Sequence, residues 1–359
     1  MPTNIWVYPI EIIHNPDLSE ALKTNDFDYD LAQGYIAQIP IEPRHNSRLM
    51  VVNRKNDRIE HRLFHQVGDY LSQGDVLVIN RSRVIPARLF ANKPSGGKVE
   101  ILILRKQSEC VWEAMVGGKG IKQGMLLSSE SGFSARIVKA LEGSKRIIEF
   151  SHPVESFLEL VGQMPLPPYI HTPLKNQERY QTVYSDRSGS AAAPTAGLHF
   201  THTLLNDLKG KGVNVAEITL HVGLDTFAPV KEKNPVLHKI HQEWCELDEK
   251  NAGIINAARR EGKKVITVGT TTTRTLETAA MHSIPNELKP YSGNTSLYIL
   301  PGYQFKVVDK LITNFHLPRS TLIMMVSAFA GWQNVKNWYE LAKLEKYRFY
   351  SFGDVMLIL

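Results

Sequence analysis

Hydrophobic positions fall into two patterns along this chain, and the patterns divide it. Nearly continuous apolar runs occur at 49–53 (LMVVN), 76–80 (VLVIN) and 263–268 (KKVITV). Runs of that length predict strands buried on both faces, as in a sheet covered by helices. Between 89 and 150 the text changes to shorter alternating stretches, KVEILIL, VWEAMV, GMLL, FSARIVKAL and KRIIEF, divided by Gly96-Gly97, Gly117-Gly118, Gly132 and Gly143. Alternation broken by glycine turns at this spacing predicts a small antiparallel barrel or sandwich, inserted into an α/β domain. A helix-prone stretch at 154–161 and the proline-rich 164–169 (MPLPPY) then read as a stiff link back to the main domain.

The second half carries the helix signals. Thr201 is a candidate N-cap for a helix over 202–209 closed by Gly210. A strand is expected at 215–222 (VAEITLHV) and another at 311–317 (LITNFHL). The clearest βα unit runs from 263–268 through Gly269 into a helix opening at Thr270, and 318–331 and 338–345 read as a buried and an amphipathic helix. Toward the start, a helical piece at 33–37 precedes strands at 49–53 and 60–64 joined by a turn at Asn56-Asp57. Residues 1–23, with Pro2, Pro9 and Pro16 and no sustained period, are expected to be a poorly ordered extension.

Composition narrows the class. At 43% hydrophobic and 22% charged over 359 residues, the chain can bury a sizeable core. Its net charge of +6 admits a polyanionic partner without requiring one. The two cysteines, Cys110 and Cys245, provide no disulfide framework and no cysteine-rich zinc site, which suits a reducing compartment. The apolar run 322–330 is about half of what a membrane-spanning helix needs, and no basic-then-apolar leader opens the chain, so a cytoplasmic location is expected.

Candidate chemistry gathers at 190–201 (SAAAPTAGLHFT), where Pro194, Thr195, Ala196 and Gly197 leave little bulk and His199 precedes the helix cap. Bare backbone, a helix N-terminus and an acid/base group together suit a ligand site, although a tight turn around a core histidine has the same text. The motif recurs: His221 and His316 also sit between apolar neighbours, so three histidines are placed where a strand gives way to a turn. Gly269, Thr270, Thr271 and Arg274 form an anion-binding candidate at a helix start, lacking the lysine and spacing of a phosphate-binding NTPase loop. Asn80, Arg83 and Arg88 suit phosphate or carboxylate. His238, His241 and Glu243 invite a metal reading, but no cysteine stands near, and in a strand His238 would face away from the other two, so substrate hydrogen bonding is expected and no metal.

The order and spacing of several stretches together carry a resemblance. They are 83–89 (RVIPARL), 96–100 (GGKVE), 164–170 (MPLPPYI), 180–184 (YQTVY), 192–200 (AAPTAGLHF), 219–223 (TLHVG), 268–271 (VGTT) with Arg274, 313–318 (TNFHLP), and 347–349 (YRF) with Gly353-Asp354. From about 25 to 357 the chain resembles the S-adenosylmethionine:tRNA ribosyltransferase-isomerase family of queuosine biosynthesis, with Arg81 and Asp225 departing from the family pattern. The resemblance implies an α/β main domain, a mixed sheet with flanking helices, over 25–88 and 151–359, and a small antiparallel β-barrel inserted at 89–150. It implies a monomer that consumes S-adenosylmethionine and acts on the tRNA anticodon arm carrying 7-aminomethyl-7-deazaguanine. On that reading His199, His221 and His316 are the acid/base candidates, in that order. Asn80, Arg83, Arg88, Pro194, Thr195, Ala196, Gly197, His238, His241, Glu243, Gly269, Thr270, Thr271, Arg274 and Asn314 are the substrate-binding ones. A non-catalytic RNA-binding protein and a small-molecule enzyme using the same sulfonium donor are the competing readings.

Overall fold

The computed structural model describes residues 22–359 except Asp57, Leu224, Asp225 and Phe227. Most of the expected N-terminal extension, Asp225, and one residue of the Asn56-Asp57 turn therefore lie outside the described residues. Thr24 is buried, and its hydroxyl donates to the Glu232 carbonyl at 2.5 Å.

In chain order the strands begin with β1 (Arg48–Val52), β2 (Ile59–Leu63), β3 (Val76–Asn80) and β4 (Ser82–Val84). Then follow β5 (Arg88–Asn92), β6 (Lys98–Lys106), β7 (Val111–Val116), β8 (Leu126–Ser128), β9 (Ser134–Ala140) and β10 (Lys145–Phe150). The remainder are β11 (Arg187–Ser190), β12 (Asn214–Leu220), β13 (Glu243–Leu247), β14 (Val265–Val268), β15 (Tyr291–Thr295), β16 (Lys310–Asn314) and β17 (Val355–Ile358). The helices are α1 (Glu155–Val161), α2 (His202–Gly210), α3 (Glu249–Arg260), α4 (Thr270–Met281), α5 (Thr321–Ala330) and α6 (Trp332–Leu344).

Two compact units result. One takes the chain up to Asn80, Thr195–Leu220 and the chain after Leu224; the other holds Arg81–Pro194 and His221–Leu224. The first is built on a nine-stranded mixed sheet in the order β15-β13-β12-β3-β14-β16-β17-β1-β2. Its middle, β12-β3-β14-β16, is parallel, and helices α3 and α4 pack against it. Burial on both faces explains why β3, β14 and β17 are apolar almost throughout: every residue in them is buried. The outermost strands β2 and β15 read IEHRL and YSGNT, polar text that discourages pairing with another chain.

The second unit contains a closed six-stranded barrel, β10-β7-β6-β5-β8-β9, with every pairing antiparallel. Its alternating strands turn residues such as Leu89, Val99, Ile101, Ala114 and Ile137 inward to one core. Phe157 of α1 closes the core by stacking on Phe133, centroids 4.9 Å apart. The mixed sheet with flanking helices and the inserted barrel are thus both present.

Several boundaries differ from expectation for local reasons. The strand expected through 317 stops at Asn314, and the one expected through 222 stops at Leu220, so the histidines lie in the turns beyond. Helix α5 starts at Thr321 because Ser320 Oγ caps the Ile323 amide and Arg319 takes a left-handed φ of 55°. Residues 238–242 form no strand; β13 begins at Glu243.

Leu357 is fully buried in β17, between β16 and β1, whereas Leu344 at the end of α6 is 78% exposed. Leu357→Ala should cost about 2–5 kcal/mol in urea unfolding, and Leu344→Ala less than about 0.5 kcal/mol. Equal costs would mean that β17 is not a core strand.

Candidate active site

Because β12, β3, β14 and β16 run parallel, their carboxyl ends share one edge of the first unit. Leu220, Asn80, Gly269 and Asn314 stand there in adjacent strands. Such an edge, where loops and helix starts converge, is where α/β sheets bind ligands. At Gly269 the chain turns from β14 into α4 with φ 88°, a conformation open to glycine. A Cβ at Gly269 would come within 3.6 Å of Ala196, so the turn at Thr195–His199 packs directly against it. Most of the threonine run serves the helix itself: Thr272, Thr273 and Thr275 donate to the carbonyls of Val268, Gly269 and Thr271. Thr270 and Thr271 remain at the edge. Asn80 is fully buried and exchanges both its amide groups with the backbone of Leu220, at 3.1 Å each, while Nδ2 also reaches Thr271 Oγ1 at 3.3 Å.

His199 does not follow a strand, contrary to expectation; it ends the tight turn that begins at Thr195. Its ring is buried against Phe64, centroids 5.3 Å apart. Hydrogen bonds assign its tautomer. Asn314 Nδ2 donates to the Tyr350 carbonyl at 3.3 Å, which fixes that atom as nitrogen, while Asn314 Oδ1 accepts from Thr195 Oγ1 at 3.0 Å. The same Nδ2 faces His199 Nε2 at 3.3 Å, so Nε2 accepts, and Nδ1 carries the proton toward Ser47 Oγ at 2.7 Å. The result is a neutral imidazole with its lone pair on Nε2. Ser47, 152 positions earlier in the chain, had no local signal in the sequence.

His316 is held differently. Its Nε2 meets Thr313 Oγ1 at 2.7 Å, its amide donates to Tyr339 Oη at 2.9 Å, and its carbonyl accepts from Tyr29 Oη. Burial holds its pKa down at about 3, so it stays neutral.

A second cluster in this unit surrounds Arg274. Its Nη1 pairs with Glu243 Oε2 and its Nε donates to the Leu297 carbonyl at 3.1 Å. Glu243 Oε1 takes His241 Nε2 and Thr226 Oγ1, both at 3.1 Å. Both Arg274 and Glu243 are buried, and among the described residues no acceptor meets Arg274 Nη2. His241 and Glu243 thus come together as expected, while His238 turns to Glu232 at 2.9 Å. No group of three or more metal-ligating side chains occurs among the described residues. Burial pushes the Cys245 thiol up to about 12, which removes it as a nucleophile.

Arg83, Arg88, Pro194 and His221 belong to the second unit. Arg83 binds Glu178 and Ser185, and Arg88 binds Glu100 at 2.9 Å and the Leu166 carbonyl at 3.3 Å. His221 is half-buried, and its ring lies where a Cβ on Gly189 would come within 2.9 Å, so only glycine admits it. Burial lowers its pKa. Arg81 lies 3.9 Å from Asp186.

The His316 environment generates a pH prediction. The unfolded chain takes up a proton at this histidine below about 6.5, whereas the folded protein does not until about 3. Its contribution is therefore undiminished above pH 6.5 and is lost as pH falls toward 3. Between pH 6 and 4 the wild type should lose about 1 kcal/mol per pH unit more than His316→Asn, measured by urea unfolding. Parallel curves for the two proteins would show that the imidazole is protonated in the fold.

Comparison with known proteins matches residues 24–358 to the family model described as Queuosine biosynthesis protein. A relative from Clostridioides difficile (strain 630) named S-adenosylmethionine:tRNA ribosyltransferase-isomerase is 51% identical over 342 residues, 94% of this chain and all of that one. One of the same name from Carboxydothermus hydrogenoformans is 49% identical over 341 residues, again 94% of this chain and all of the relative. The crystal structure of S-adenosylmethionine tRNA ribosyltransferase from Thermotoga maritima aligns with TM-score 0.55 and 39% identity, covering 93% of this chain and 100% of that one. With a family match through nearly all of the described chain and relatives near half identity over their whole length, the chain belongs to the queuosine biosynthesis family of S-adenosylmethionine:tRNA ribosyltransferase-isomerases.

Proposed function

We propose that this enzyme transfers and isomerises the ribosyl unit of S-adenosylmethionine onto the aminomethyl group of 7-aminomethyl-7-deazaguanine at the tRNA wobble position. The products are epoxyqueuosine in tRNA, adenine and methionine. The family match over residues 24–358 carries this reading. An unstacked anticodon base is open to a protein pocket in a way that a base in a helix is not. We place the reaction in the cytoplasm and assign it to a monomer; no helix among the described residues is long and apolar enough to cross a membrane.

The roles follow from the chemistry. One proton leaves beside the sulfonium or from the attacking amine, and one reaches the departing adenine; methionine leaves as a neutral thioether, so the donor arrives already activated. We assign the base first to His199, whose Nε2 lone pair faces Asn314 at the carboxyl edge, and then to His221. The half-satisfied guanidinium of Arg274 is assigned to a carboxylate or phosphate of the substrates, beside Gly269, Thr270 and Thr271 at the start of α4.

Incubation with S-adenosylmethionine and tRNA bearing the modified base tests the activity: adenine should appear only when both are present. Adenine without tRNA would mean a small-molecule acceptor, and none at all a non-catalytic RNA-binding protein. His199→Gln should lower the rate by about 100-fold to 10,000-fold with the fold retained. A variant that melts earlier yet turns over normally when folded would remove His199 from the chemistry and pass the same test to His221.

A further inference from the structure

The charge of this chain is concentrated in the barrel. Residues 88–150 hold eleven lysines and arginines against six glutamates, a balance of +5, while the whole chain carries 42 against 36, a balance of +6. The barrel's basic residues are also unevenly placed. Its strands alternate in direction, so the turns after β5, β7 and β9 gather at one end, away from the start of β5 and the end of β10. Hydrogen bonds tie that end together: Lys93 Nζ donates to the Lys119 carbonyl, the Val116 amide to Ser144 at 2.9 Å, and the Gly124 amide to Ile137 at 2.8 Å. The first two turns, 93–98 and 117–125, carry four lysines and no carboxylate; the third, 139–146, adds Lys139, Lys145 and Arg146 with one acid, Glu142.

Most of these charges are not neutralised within the fold. Lys98, Lys119, Lys122 and Lys139 are exposed, and among the described residues none of them, nor Lys93 or Arg146, pairs with a carboxylate. Arg146 donates from Nη1 to the carbonyls of Gly143 and Lys145, and among the described residues its buried Nε meets no acceptor. Away from this end, Arg88 pairs with Glu100 at 2.9 Å, Arg105 with Glu113 at 3.4 Å and Lys106 with Glu155, while Arg136 on β9 is exposed. A Cβ at Gly96, Gly120 or Gly124 would meet nothing within 4 Å, so the backbone at this end is open to close approach by a ligand. A crowd of unmatched like charges disfavours the folded state and favours association with a polyanion.

We propose that this basic rim holds the sugar-phosphate backbone of the tRNA substrate, as a docking surface distinct from the histidine edge that does the chemistry. The inference rests on the tRNA reading above. The charged groups of the rim are lysine ammoniums and one arginine, the side chains that position a nucleic acid through its phosphates. The reacting base is selected elsewhere.

The test compares two charge reversals of equal size in the full-length protein. Lys119→Glu with Lys122→Glu alters the rim; Arg105→Glu with Lys106→Glu alters the other end. Binding of the substrate tRNA is measured by fluorescence anisotropy across a salt series, with melting temperature checking the fold. The rim pair should weaken affinity at least about ten-fold and lower the salt slope by about two, one for each phosphate no longer neutralised. It should raise KM for tRNA without changing kcat at saturation, and the other pair should stay within about two-fold. Should the reversals fail to fold, Lys119→Gln with Lys122→Gln must shift affinity and slope in the same direction. Unchanged affinity in the rim variants, or an equal loss in both pairs, overturns the rim while leaving the tRNA reading intact; a wild-type protein that does not bind tRNA overturns both.

Discussion

The side-chain amide of Asn314 ties two remote parts of the chain to the end of one strand. Its oxygen takes Thr195 and its nitrogen serves both Tyr350 and His199, so the end of β16, the tight turn after 194 and the C-terminal segment before β17 meet at one group. An amide has one acceptor and one donor end, and each is committed here. That commitment dictates the histidine tautomer, and through it the direction of the bond to Ser47. A carboxylate at this position would accept at both ends and would pull the proton to Nε2, where the lone pair now stands. The geometry of the edge therefore depends on the residue being an amide and not merely polar.

The same unit carries other buried polar groups whose cost is met locally. Glu277 on α4 is fully buried and accepts the amides of Lys306, Val307 and Val308 and the hydroxyl of Tyr303, which fastens the segment 303–308 to the helix. Burial nevertheless raises its pKa, so desolvation outweighs four hydrogen bonds. The Arg274–Glu243 pair has the opposite balance: the carboxylate has an arginine, a histidine and a threonine around it, while the guanidinium keeps one nitrogen unmatched. A buried cation left incompletely satisfied is costly in a fold that needs only to be stable. That asymmetry is why Arg274, rather than the partly exposed and carboxylate-bound Arg83 and Arg88, stands out as an anion receiver.

What the sequence made legible follows from which forces are local. The barrel strands were readable because alternation and glycine turns act over a few residues, and β3, whose bounds matched, because a run buried on both faces has no polar positions to blur it. Helix α3 was missed since its text, EKNAGIINAARR, places a glycine and two asparagines in its interior; Asp248 caps the Asn251 amide, and packing against β12 and β3 supplies the rest. β15 (YSGNT) was missed because an edge strand carries little apolar signal, and β17 because its partner β1 lies at the opposite end of the chain. At the site, the threonine run and the arginine on α4 could be seen as a unit, but the partners that give them meaning could not. Ser47, Thr226 and Tyr350 reach their histidines and amides only through the fold.

The histidines share a property that their separate settings produce by different means. His316 and His221 are kept neutral by burial, and His199 by its partners, Nε2 accepting from Asn314 Nδ2 and Nδ1 facing Ser47 Oγ. For a reaction whose donor is a sulfonium cation, this is the useful form. A protonated imidazole near such a donor would repel it and could not take a proton from the carbon beside the sulfur, whereas a neutral ring does neither harm. Cationic groups left unmatched include Arg274 Nη2, where a single guanidinium nitrogen suits one anionic group, and those of the barrel rim, where several lysines suit a repeating one. Under the proposed roles, charge in this protein is divided according to what each group must meet, with neutral rings for proton transfer, one buried cation for a small anion, and a field of exposed cations for a polymer.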